Sequence, residues 1–164
     1  MAADPGRALG KEGVMEFDYQ PKDQILWREI PGGSELVEYF CHDPEFHDAE
    51  IVQVILNRRS RSSISIHIWS NDPFDIAKHV VVTFSLADIA DLRFENFSHQ
   101  NVLNGLTVRP APERKDRQPY YGRDPHPEDV EIELRPCYGF SGFIRARAIG
   151  ITFVKGKPED TTRS

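Results

Sequence analysis

The chain reads as an α+β domain built mainly of antiparallel β-sheet, with one short N-terminal helix. Three observations predict this. Apolar residues alternate with polar ones along several short segments, the period-two pattern of strands buried on one face. The links between these segments are too short for repeated βαβ crossovers, so neighbouring strands run antiparallel. One stretch alone, just after Pro31-Gly32-Gly33, carries a helix start signal.

Trp27 to Ile30 reads as an extended or loop segment. Ser34 is placed to cap a helix over 35–40, with Glu35 and Glu38 in its first turns, where acids favour the helix dipole. Pro44 ends the loop that follows. In 50–57, Val52, Val54 and Leu56 share one face while Ile51 and Ile55 share the other, which predicts a central strand covered on both sides. In 62–69, Ile64, Ile66 and Ile68 alternate with Ser63, Ser65 and His67, so one face is buried and one is wet. The polar run 58–61 joins these two strands as a hairpin. Further strands are expected at 79–86, at 90–95 with Leu92 and Phe94, and near 105–109 with Leu106 and Val108, with a turn or short helix at 98–103. Five prolines between 110 and 128 exclude regular structure there and predict a long loop.

The last two strands, 129–134 and 143–154, specify a hairpin. A turn centred on Gly139 sets Glu133 opposite Arg145 and Glu131 opposite Arg147 on an exposed face. It also sets Leu134 against Ile144 and Ile132 against Ala146 on the other face. The total is about seven strands, in a sandwich or a partly open barrel. The domain spans 15–155, with flexible tails at 1–14 and 156–164.

With 164 residues, 39% of them hydrophobic, the chain can build one core. Its mean hydropathy of −0.50 and the absence of any apolar run of about 20 residues exclude a membrane-spanning helix. The polar N-terminus lacks the apolar stretch of a signal peptide, so a cytoplasmic location is expected. Cys41 and Cys137 are too few for a disulfide scaffold and are expected to be reduced. Residues 1–57 hold 12 acidic and 4 basic side chains, whereas the remainder is close to neutral. No basic stripe exists to bind nucleic acid, and the acidic third favours a basic partner.

Two polar clusters abut strand-like sequence: Phe46-His47-Asp48-Ala49-Glu50 and Phe97-Ser98-His99-Gln100-Asn101. His47, Asp48, Glu50, His99, Gln100 and Asn101 could form a site, a metal-dependent hydrolase on His47, Asp48 and Glu50 included. The favoured reading is structural, with polar groups hydrogen-bonded where strands begin. His42-Asp43 and His47-Asp48 match no helical metal-ligand spacing, so neither a metal nor a cofactor is expected. Gly139-Phe140-Ser141-Gly142 lies near the hydrolase nucleophile turn but feeds a strand instead of a helix, so no catalytic residue is assigned.

The Trp27 and Pro31-Gly32 pieces, the helix before Pro44, the two polar clusters, and Tyr138-Gly139-Phe140-Ser141-Gly142 together resemble the bacterial immunity protein 50 family. The resemblance covers roughly 20–155, and the chain departs from it at 110–128, an insertion or an extended variable loop. It implies a small cytosolic α+β protein, not an enzyme, that binds and blocks a cognate toxin; the chain is expected to be a monomer or homodimer. Tyr120 and Tyr121, with Glu35 and Glu38, are the expected partner-binding residues. The alternative is a β-domain that binds a small molecule or an unrelated protein.

Overall fold

The computed structural model describes residues 27–70, 78–113 and 123–158. The expected tail at 1–14, Tyr120 and Tyr121 lie outside these residues. Among the described residues the chain runs through a 3-10 turn Trp27–Glu29, a helix α1 (Gly33–Phe40), and six strands. These are β1 (Glu50–Ile55), β2 (Ser62–Trp69), β3 (His79–Glu95), β4 (Val102–Pro110), β5 (Val130–Tyr138) and β6 (Ser141–Lys155). All ladders are antiparallel, and the order β1-β2-β3-β6-β5-β4 closes into a barrel.

The β-rich α+β class holds, and closure settles the choice between sandwich and barrel. The segments expected at 79–86 and 90–95 are one strand. Asp88 takes a left-handed backbone, φ 54°, and the register shifts between Ile89 and Asp91. β6 pairs along nearly the whole of β3, so a local kink bends the strand without ending it.

Alternation in β2 and β3 puts Ile64, Ile66, Ile68, Val80, Val82, Phe84 and Leu86 into one core with Ile132, Leu134, Ile144 and Ile151. Helix α1 enters this core through Leu36 and Phe40. Trp27 stacks on Phe46 at 5.5 Å and lies 6.3 Å from Phe84, so the N-terminal segment seals the barrel interior. Ser34 is not the helix cap. Gly32 holds that position in a left-handed conformation, φ 84°, with no side-chain cap bond. A Cβ on Gly32 would collide with the Ile151 carbonyl, which is the close approach that selects glycine.

Two strand expectations need correction. β1 is not covered on both faces. A bulge between Ile51 and Gln53 breaks its alternation, leaving Val52, Ile55 and Leu56 exposed and Ile51 buried. The β5–β6 register is slipped by two residues, with Glu131 opposite Arg145 and Ile132 opposite Ile144. The slip keeps each side chain on its predicted face, because strand faces repeat every two residues. The β5–β6 ladder ends at Leu134 opposite Gly142, while β5 stays paired with β4 as far as Tyr138.

Candidate functional site

The barrel closes at a narrow seam. β1 and β4 share a single ladder pair, Glu50 with Val102. Backbone bonds from Asp48 N–H to the Leu103 carbonyl (2.9 Å), Leu103 N–H to the Ala49 carbonyl (2.8 Å) and Ile51 N–H to the Asn101 carbonyl (2.9 Å) complete it. Asn101 is the buried member of the sequence-predicted polar motif. Its Oδ1 accepts from the backbone N–H of Ser98 (2.9 Å) and Phe140 (3.2 Å), and its Nδ2 donates to the Ser98 carbonyl (2.8 Å). That carboxamide ties its own loop to the turn between β5 and β6, as a buried amide with satisfied donors and acceptors can.

The other motif residues are not internal. His47, Asp48, Glu50, His99 and Gln100 are exposed. His47 Nδ1 meets Asp48 Oδ2 at 3.1 Å, and Asp48 has φ 61°. Alternation cannot see such a turn: the left-handed residue swings the preceding polar side chains out of the barrel wall. Glu35 and Glu38 are exposed on α1, with Glu38 3.9 Å from Arg28.

That same turn opens a cleft of about 510 Å³ between residues 42–47 and β4. Trp27, Phe46, Leu106 and Val108 give it apolar surface, while His42, Asp43, Glu45, His47, Asn104, Thr107 and Arg135 supply polar groups. His42 Nδ1 donates to the Asp43 carbonyl at 2.6 Å. Arg135 lies across Gly105, its register partner. A Cβ at Gly105 would come within 2.5 Å of Arg135 Nη2, so the missing side chain makes room for the guanidinium. Arg135 has no ion-pair partner among the described residues. Sequence reading missed this cleft because its walls come from segments about sixty residues apart in the chain. The sequence signal was present in His42-Asp43 and His47, but not the β4 wall.

A second groove of about 520 Å³ is lined by Leu56, Arg58, Asp88, Ile89 and Leu92 among others. Its carboxylate, Asp88, is engaged by Arg123 Nε at 2.9 Å.

Two further polar clusters sit on the outer face. Glu131 and Arg145, expected on an exposed face, are 0% and 4% exposed. Arg109 reaches Glu131 (3.2 Å) and Glu133 (2.9 Å), and Arg145 donates to the Pro112 carbonyl, so chain leaving β4 covers them. Asp129 is buried and accepts from Arg123 at 2.6 Å and from the His126 N–H at 2.8 Å. Burial opposes its ionised form, but those hydrogen bonds and the nearby guanidinium charge outweigh it and hold its pKa below the usual value.

His67, expected on a wet face, is 8% exposed. Its Nε2 hydrogen-bonds His79 Nδ1 at 3.0 Å, and Trp69 packs at 5.1 Å. Burial lowers its pKa; His79 and Lys157 add to the effect, and Glu50 opposes it. No group of three or more His, Cys, Asp or Glu side chains among the described residues is arranged to hold a metal ion. Cys41 and Cys137 are exposed free thiols. No helix among the described residues is long and apolar enough to cross a membrane.

Comparison with protein-family models, with curated proteins and with solved structures finds no match.

Proposed function

We propose that this protein neutralises a cognate bacterial toxin by binding it, without chemistry of its own. The observation that carries this reading is the open cleft beside the seam, flanked by an exposed acidic segment. Asp43, Glu45, Asp48 and Glu50 stand together on the exposed stretch that leads into β1. An apolar floor with a charged rim suits protein recognition: apolar contact gives affinity, and charge steers the encounter. The resemblance to the immunity protein 50 family points the same way. On this reading the protein acts in the cytosol, as a monomer or homodimer. Glu35 and Glu38 belong to the acidic surface that attracts the toxin, and Tyr120 and Tyr121 are the aromatic anchors expected from the sequence.

The test is co-expression with the product of the toxin-like reading frame next to this gene. A stable complex on size-exclusion chromatography and restored growth of the expressing cells are the expected results. Weakening of that complex by Tyr120→Ala with Tyr121→Ala assigns the anchors. An absent reading frame, or a toxin that neither binds nor is blocked, overturns the proposal. A second reading, small-molecule binding, draws on the volume of the cleft, which falls in the range of ligand sites.

A further inference from the structure

We infer that the cleft receives an extended basic segment of the partner protein, which adds to the free edge of β4 as a new strand. The inference rests on the toxin-binding reading and names the surface and the chemistry of the segment. Three features of the cleft lead to it.

The first is an unused strand edge. β4 pairs with β5 on one side over its length. On the other side its contact with β1 stops at Val102 and Leu103. Residues 104–109 carry no backbone ladder on that side; their backbone pairs with β5 alone, and beyond that ladder Arg109 bonds only through its side chain to Glu131 and Glu133. Six residues of strand offer an edge about 20 Å long, and unpaired N–H and C=O groups along it are a template for another chain. The opposite wall, residues 42–47, runs beside this edge without bonding to it, which leaves the cleft between them.

The second feature is the floor. Trp27, Phe46 and Leu106 are half-buried or buried residues of the barrel core that also line the cleft. An added strand points alternate side chains inward, so every second residue of the segment would be apolar and meet this floor.

The third feature is charge. Asp43 and Glu45 are exposed, and their carboxylates have no partner among the described residues. Arg135 is the single arginine or lysine lining the cleft among the described residues. Asp48 and Glu50 are further exposed carboxylates on the stretch that leads into β1. The outward side chains of the segment are therefore lysine or arginine.

The experiment selects displayed random twelve-residue peptides on the immobilised full chain, then measures the recovered peptide by fluorescence anisotropy. The expected peptides alternate apolar residues with lysine or arginine. Their affinity falls at least tenfold when alternate backbone nitrogens of the peptide are methylated. It falls at least tenfold again with the double variant Asp43→Lys, Glu45→Lys, whose exposed side chains leave the fold intact by circular dichroism. Acidic or proline-rich peptides, or no enrichment, overturn the inference. Binding indifferent to methylation overturns it in favour of a small-ligand pocket, and a dimer lost in the double variant overturns it in favour of a second copy of this chain. The same double variant separates the two proposals. A toxin still bound and blocked by it removes the cleft and keeps the immunity role. Peptide binding without any toxin binding keeps the cleft and removes that role.

Discussion

Asn101 shows how one side chain can steady a loop whose backbone takes part in a thin closure. Its carboxamide satisfies two N–H donors and one carbonyl, tying the 98–101 loop to the turn between β5 and β6, while its backbone carbonyl accepts from Ile51 of β1. Replacing it with alanine leaves those groups without their partner in a nearly buried site. Asn101→Ala should cost about 2 kcal/mol, a fall of about 6 °C in melting temperature for a chain of this size. A urea midpoint unchanged from the parent would show that the seam does not depend on this amide. Gln100, its neighbour in sequence and chemistry, is exposed and carries no such role. The difference lies in which way the turn points each side chain.

At the level of elements, the arginine–glutamate cluster over β4, β5 and β6 does more than set register. Alternation correctly placed Glu131, Glu133 and Arg145 on the outer face of the sheet. It missed that the outer face is covered here. Arg109 joins two carboxylates, one of them fully buried, across the β4–β5 ladder. A surface ion pair contributes well under 1 kcal/mol, whereas removing one member of a buried pair leaves the other desolvated and uncompensated. Glu131→Ala should therefore destabilise by about 3 kcal/mol, read from the urea midpoint. A loss below about 1 kcal/mol would return the cluster to the surface class.

Across the whole molecule, two buried ionisable groups make stability depend on pH in the same direction. The folded protein holds His67 neutral more strongly than the unfolded chain does. That stability is fully present above about 6.5, the ordinary histidine value, and is lost as pH falls through the lower folded value. Asp129 is ionised more readily in the folded state. Its contribution is present above about 3.9, the ordinary aspartate value, and is lost as pH falls below it. Urea midpoints should thus decline in two stages on acidification. His67→Gln should flatten the upper stage and Asp129→Asn the lower. The upper decline surviving intact in His67→Gln would assign it to another group.

Read alone, the residues specified the β-rich class, the antiparallel ladders, the short helix after Gly32 and which face of most strands is apolar. Those properties live in local periodicity, which a chain carries wherever it goes. Tertiary structure alone decided the rest: closure into a barrel, fusion of two expected strands into β3, the two-residue slip in the last hairpin, burial of His67 and Glu131, and the cleft beside β4. Each of these depends on which distant segment lies alongside. The left-handed turns at Asp48 and Asp88 and the early end of the β5–β6 ladder have no signature in residue alternation. A polar side chain on an outer face is solvated or buried according to whether another stretch of chain crosses over it.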